Sequence, residues 1–390
     1  MTAPTRSGLS LGARLKLITP ELLRIGGGAA VMAVLQFSGV LGWLLGQGTP
    51  GILSGLALLA VVVVVLSMQV ANQAELLAEE LGEPYGTLVL TGSVIVIELA
   101  LIGSTMLSGQ ANPTLARDSM FSVLMIALTG ITGLCMAITS GMQKQKRNAP
   151  MRVEDLAAPN LPGSMVYYNL ISTMSVLVLI IPNFSNDSDQ ANFSLPLNIV
   201  LSVVALVVYG LFLVNQVGPY RDFFVEPMDR DDPQQAERHA AELQGGPWQA
   251  GLLLVGSLAV VVMIAESMGQ LIEEGVNQLH LPSSLAGILV AALILIPEAL
   301  NAIQATRKGK LQRALNTLYG SVLSTISLTV PAVLLLGEIT GTEVILGLEP
   351  YAMVLLTLTL LLLRPHNRVL GSEGLMLLVV FLFWFVLELV

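Results

Sequence analysis

The chain has 390 residues, 54% of them hydrophobic and only 12% charged. Soluble domains carry about 25% charged residues, so this composition excludes an ordinary soluble domain and describes an integral membrane protein. The net charge of -9 speaks against a nucleic-acid partner, and a lone cysteine, Cys135, excludes a disulfide framework.

Residues 1–24 are basic and polar and lead into a span, which predicts no cleavable signal peptide. A membrane-crossing helix needs about 20 largely apolar residues. Eleven segments are candidates, the fifth of them short: 27–45, 51–70, 85–106, 119–139, 167–182, 195–217, 248–268, 284–305, 315–336, 343–363 and 373–390. Pro297 and Pro331 fall inside spans, where neighbours or water can satisfy the freed backbone groups.

The basic residues test this division independently. With a cytoplasmic N-terminus, the tail (Arg6, Arg14, Lys16, Arg24) and the loops after spans four, six, eight and ten share one side. Those loops hold Lys144, Lys146, Arg147, Arg152, Arg221, Arg230, Arg238, Arg307, Lys308, Lys310, Arg313, Arg364 and Arg368. Of 18 Lys and Arg, Arg117 alone lies opposite. Cytoplasmic loops attract such an excess, and one span more or fewer would scramble it. The one long hydrophilic connection, 218–247, is acidic and reads as a cytoplasmic linker between two halves.

The halves repeat. GTLVLTGSVIVIELALIGS (86–104) lies over GILVAALILIPEALNAIQA (287–305), pairing Gly86 with Gly287 and Glu98 with Glu298. ARDSMFSVLMIALTGI (116–131) lies over ALNTLYGSVLSTISLT (314–329). The expected architecture is therefore all-α: a tail and leading span (1–50), a five-helix repeat (51–217), the linker (218–247) and a second five-helix repeat (248–390). Five is odd, so the repeats are inverted, as in secondary transporters whose substrates bind near the midplane at the repeat interface.

Glu98 and Glu298 each lie about a dozen residues into a span, ~15–20 Å deep at ~1.5 Å per residue, near the middle of a ~30 Å core. An ionised acid there costs at least ~2.5–3.5 kcal/mol. No basic residue lies within a span to neutralise either one. A bound cation or protons remain, and the two compete for the same oxygens. Thr87 and Thr91 share a helical face with Glu98, and Asn301 lies one turn from Glu298. Ser321, Ser324 and Thr325 form a stripe with Thr317 in span nine; Ser122 and Thr129 form a sparser one in span four. Of these hydroxyl and amide groups, Thr87, Asn301 and Ser324 are the favoured extra ligands. Acids gather before the third span (Glu75, Glu79, Glu80, Glu83) and before the eighth (Glu266, Glu273, Glu274), where they could draw cations to the mouths. Glu266, the deepest, is the candidate for a proton path. His239, His280 and His366 are scattered through loops and read as surface residues.

GEPYGTLVLTGSVIVIELALI, ANPTLARDSMFSVLMIALTGITGL and LPSSLAGILVAALILIPEALNAIQATRKGKLQRALNTLYGSVLSTISLT resemble the two α-repeats of calcium/cation antiporters, within them the ChaA-type calcium/proton antiporters related to CAX exchangers. The resemblance implies an eleven-helix antiporter that moves cytoplasmic calcium out against protons across a bacterial cell membrane. Its two essential acids fall on Glu98 and Glu298, the first motif's Gly-Thr on Gly86 and Thr87, and the second motif's Gly on Gly287. CAX helices place Asn-Ala before each glutamate, where this chain has Val96-Ile97 and Ile296-Pro297. An amide ligand is thus lost from both repeats, which leaves sodium or potassium beside calcium as the cargo. No cofactor is expected beyond the transported ions. A cation channel is the reading from another class, but channels usually draw a filter from several symmetric subunits. An intramembrane hydrolase would need paired aspartates or a His-rich set inside spans, and neither is present.

Overall fold

Every one of the eleven apolar segments contains a helix in the structure, a computed structural model that describes residues 11–81, 85–107, 113–145, 156–185, 191–218, 220–224 and 247–389. Most of the acidic linker 218–247 lies outside the described residues, as do Glu83 and the side chains of Glu75, Glu79 and Glu80. Among the described residues there is no strand.

The leading segment is two helices rather than one. α1 (Leu11–Phe37) and α2 (Val40–Gly46) meet at a 68° bend. Gly39 makes the break with φ of 72°, a conformation open to a residue without Cβ. α3 (Thr49–Leu81) and α4 (Tyr85–Leu107) follow. α5 (Leu115–Leu124) and α6 (Thr132–Gln145) form one long rod interrupted by a π turn, Met125–Ile131. α7 (Leu161–Ser175) continues into a second π turn, Val176–Ile180, and a 3₁₀ turn, Ile181–Phe184. It starts six residues before the predicted 167, with Pro162 in its first turn, where a pre-set φ favours a helix start. α8 (Leu195–Val217) closes the first half.

After the linker come α9 (Pro247–Gln278) and α10 (Ser284–Arg307). α11 (Leu311–Ser324) and α12 (Val330–Thr340) are again one rod broken by a π turn, Thr325–Thr329. α13 (Pro350–Leu362) and α14 (Gly371–Leu389) complete the chain. The tenth predicted segment, 343–363, is helical only from Pro350. Gly341 ends α12 at φ 69°, and 342–349 run as a non-helical strap with Val344, Leu346 and Leu348 buried. Proline, with no N–H to donate, suits the first helical position and sets the restart.

By length and hydropathy, eight helices among the described residues can cross a membrane, nine if the bent leading pair is one span. Two shorter apolar helices, Thr91–Met106 and Pro350–Leu362, bear on the count of eleven. The rod Leu115–Gln145 is the most enclosed, with 78% of its apolar stretch buried against 22% for Leu195–Val217. The broken rods are therefore interior and α8 peripheral. α10 lies on α5 at Gly287, where a Cβ would stand 2.7 Å from the Ser119 backbone nitrogen. α9 lies on α4 at Gly269, within 3.0 Å of the Thr105 nitrogen. These close approaches seat the glutamate helix α10 against the first rod and the glutamate helix α4 against α9.

Candidate functional site

Glu98, on α4, is 1% exposed. Its Oε2 accepts a hydrogen bond of 3.1 Å from the Thr325 hydroxyl, 227 residues away in the other half. Its Oε1 is buried with no partner. Glu298, on α10, lies within electrostatic reach of Glu98. It keeps part of its surface accessible, while its Oε2 is sealed and unpartnered. Buried polar atoms are nearly always hydrogen-bonded, so an orphaned oxygen on each of two adjacent carboxylates is an open demand for a proton or a cation.

Thr325 does something its counterparts do not. A threonine inside a helix ordinarily returns its hydroxyl to the carbonyl four residues back, as Thr105, Thr139, Thr306, Thr317 and Thr359 do. Thr129, in the first-half π turn, bonds the Met125 carbonyl in the same way. In the second-half π turn that pattern lapses. Thr325 donates to Glu98, and the Ser327 and Thr329 hydroxyls are buried without partners. Thr329 lies beside the Glu98 carboxyl but outside hydrogen-bond geometry. Ser327, two residues from each, points from the opposite side of the turn. π turns gather at functional sites in proteins, and here the widened turn presents two hydroxyls to one carboxylate.

Among the described residues no three His, Cys, Asp or Glu side chains converge as metal ligands. A cation held between Glu98 and Glu298 would thus complete its shell with neutral oxygens, and Thr325 and Thr329 are the ones in place. An aromatic cluster is built by Tyr167, which packs on Phe212 at 5.2 Å and on Phe224 at 5.5 Å. Tyr209 joins it and donates to the Thr91 hydroxyl at 3.5 Å.

The sequence-predicted residues separate accordingly. Glu98, Glu298 and Thr325 come together. Thr91 meets the Tyr209 hydroxyl. Ser324 is buried, but its hydroxyl is used on the Ser321 carbonyl at 2.8 Å; Ser321 is half-buried and Asn301 exposed. Gly287 is a helix contact, and Glu266 is exposed on α9. Gly86 and Thr87 open α4, with side chains outside what the structure describes. Thr329 was missed, although its place four residues after Thr325 puts it on the same face.

A family profile described as "Sodium/calcium exchanger protein" matches residues 51–218 and 249–390. The chain belongs to the sodium/calcium exchanger family. It is thus an integral membrane cation exchanger of the calcium/cation antiporter superfamily rather than a member of an enzyme family. Among its exchanger relatives, the sodium-potassium/proton antiporter ChaA of Escherichia coli (strain K12) is 33% identical over 300 residues, 76% of this chain and 77% of its own. The protein y4hA of Sinorhizobium fredii is 32% identical over 290 residues, 74% and 75% of the two chains. The structure of native YfkE superposes with a TM-score of 0.62 over 90% of this chain and 99% of its own at 18% identity. The H+/Ca2+ exchanger CAX does so with 0.58 over 95% and 89% at 14%. At those identities the likeness to solved exchangers speaks for the fold.

Proposed function

We propose that this chain exchanges cytoplasmic calcium for protons by alternating access around Glu98 and Glu298. The observation that carries the reading is a pair of carboxylates, each with an orphaned oxygen, of which Glu98 faces hydroxyls released from their own helix. Calcium takes about six to eight oxygen ligands; two carboxylates supply four, and Thr325 and Thr329 bring the set into that range. One divalent ion or two protons balance the same two charges, so the exchange leaves the buried site neutral in both loaded states.

The eleven-span, inverted-repeat layout of a bacterial cell-membrane protein is part of this proposal. In its support, the two rods break into π turns at matching places, Met125–Ile131 and Thr325–Thr329. Groups that the basic residues assign to one side also meet. The Asn160 N–H donates to Gln312 at 2.6 Å, Arg368 to the Leu156 carbonyl at 2.8 Å, and Asn316 to the Phe224 carbonyl.

Sodium or potassium in place of calcium is the second reading. It is favoured by the relative ChaA, a sodium-potassium/proton antiporter, and by the absence of an amide before either glutamate. Purified protein in liposomes with an internal pH-sensitive dye, challenged in turn with calcium, sodium and potassium gradients, decides between them. Calcium-driven proton movement with apparent affinity falling as pH falls supports the first reading, because protons occupy the oxygens the metal needs. Movement driven by sodium or potassium alone supports the second, and pH-independent affinity contradicts both.

Thr325→Val keeps the shape and removes the hydroxyl. A hydrogen bond to a charged group is worth ~1.5–3 kcal/mol, so apparent cation affinity should fall about ten- to a hundredfold at ~1.4 kcal/mol per decade. Thr317→Val, whose hydroxyl serves only the Arg313 carbonyl, should leave the dye response unchanged; equal effects would remove Thr325 from the site.

A further inference from the structure

Between α12 and α13 the non-helical strap 342–349 buries Val344, Leu346 and Leu348. Buried backbone outside a helix must find partners for its polar groups among its neighbours. Four bonds do this here, and all four cross to the first half of the chain. The Ile345 N–H donates to the Pro113 carbonyl at 2.8 Å, the Gly347 N–H to the Ala191 carbonyl at 3.0 Å, and the Leu348 N–H to the Leu179 carbonyl at 2.9 Å. Arg117, in the first turn of α5, donates to the Gly347 carbonyl at 3.0 Å and with its Nε to Asp118 at 2.8 Å. The seat is tight: a Cβ at Gly347 would stand 2.8 Å from the Ala191 Cβ. Ala191 itself holds a φ of 54°, uncommon for a residue with a Cβ and kept where the surroundings fix it.

The first half has a matching strap. Residues 156–160 lead into α7 as 342–349 lead into α13, and they dock on the second half. The Val369 N–H donates to the Ala157 carbonyl at 2.9 Å, Arg368 to the Leu156 carbonyl at 2.8 Å, and the Asn160 N–H to Gln312 Oε1 at 2.6 Å. Each strap thus carries one guanidinium on a main-chain carbonyl. Each also reaches the start of the other half's rod, at Arg117 of α5 or at Gln312 of α11. The charge pattern of the loops assigns the two straps to opposite faces. A cavity of ≈ 330 Å³ beside 342–349, lined by Glu338, Thr342 and Glu343 and by Asn192, Phe193 and Asn198, leaves that strap room to move.

We infer that 342–349 is a latch that closes the face opposite the basic loops, with Arg117 as its key, and that 156–160 with Arg368 is its counterpart on the other face. The device works through the rods. α12 begins directly after Thr329 and ends where the latch begins. Releasing Gly347 from Arg117 and Ala191 therefore frees the end of the rod that brings Thr325 and Thr329 to Glu98. Both latches are fastened here, the closed arrangement that alternating access passes through between its two open ones. Arg117 is a positioning residue, since it touches the strap and not the cargo. The part played in a transport cycle rests on the proposed antiport; the latching of the strap does not.

Ser122 lies beneath the latch, 2% exposed, and lines a small cavity with Leu348 and Glu349. Ser122→Cys, in a chain whose one cysteine is removed by Cys135→Ala, reports the opening. In the purified full chain in lipid nanodiscs, a water-soluble maleimide should modify that cysteine slowly. Gly347→Ala, which pries the strap from Ala191 but keeps the Arg117–Asp118 pair, should speed the reaction about tenfold. Arg117→Gln should do the same, and Arg368→Gln should not. Hydrogen exchange should rise across 342–349 in the first two variants and across 156–160 in Arg368→Gln alone. Should Arg117→Gln fail to purify, Gly347→Ala decides. Parent-like labelling and exchange in the latch variants, or a rise at 342–349 in Arg368→Gln, overturns the inference. In liposomes Gly347→Ala should slow cation-driven proton movement severalfold yet keep the cation dependence of Tm, because both carboxylates are untouched; an unchanged rate overturns the strap's part in the cycle. Lack of any such movement in the parent, with the labelling difference intact, leaves the latch standing and counts against the antiport reading alone.

Discussion

Glu98→Gln and Glu298→Gln are each expected to abolish cation-driven proton movement in liposomes while the protein still inserts and purifies as a monodisperse species. The size of the effect follows from the site's location. A charge in the membrane interior is worth at least ~2.5–3.5 kcal/mol, so removing one from a two-carboxylate site weakens cation binding by about a hundredfold or more at ~1.4 kcal/mol per decade. The substitution also removes a group that can release a proton, so coupling is lost along with affinity. The fold should tolerate it, because glutamine keeps an oxygen for the Thr325 hydroxyl and an amide is easier to bury than a carboxylate. Thermal unfolding separates the two effects. A cation that binds the folded state raises the parent's Tm in proportion to the logarithm of its concentration; both Gln variants should start as stable as the parent and lose that dependence. Near-normal exchange in either variant would end the two-carboxylate mechanism.

Much of this site was legible before any coordinates, and the reason is physical. An acid in an apolar span violates hydropathy so strongly that Glu98 and Glu298 stand out as candidates. The hydroxyls were less legible. Ser324 and Thr325 adjoin in one stripe, yet Ser324 bonds the Ser321 carbonyl and Thr325 bonds Glu98. What separates them is the π turn that begins at Thr325, and helical periodicity at 3.6 residues cannot anticipate a local change of winding. Asn301 illustrates the same limit. Its spacing puts it near Glu298, but three residues turn about 300° rather than a full circle, and the structure leaves Asn301 exposed. The bend at Gly39 and the strap before Pro350 were hidden because hydropathy averages over residues whose backbones depart from a helix.

Gly287→Ala should lower both stability and exchange, whereas Gly92→Ala should do neither. The two glycines look alike in sequence, each one turn or more inside a glutamate-bearing helix. At Gly92 a Cβ meets nothing within 4 Å, and alanine is favoured over glycine in a helix by ~1 kcal/mol, so that variant should be neutral or slightly stabilised. At Gly287 the same methyl would stand 2.7 Å from the Ser119 nitrogen and 2.8 Å from the Asp118 carbonyl carbon. Those are backbone atoms of α5, which cannot swing aside as a side chain can, so α10 must move away. Overpacking of this kind costs ~1–3 kcal/mol. The consequence reaches the site because α5 leads directly into the Met125–Ile131 π turn and α10 carries Glu298 11 residues further on, ~16 Å along the helix. A displaced α10 changes the approach of Glu298 to Glu98, and exchange should fall in Gly287→Ala protein that remains folded at the assay temperature. Thermal unfolding measured beside dye-reported transport tests both halves of the expectation. Equal behaviour of the two variants would mean that the α5–α10 contact does not hold the carboxylates in place.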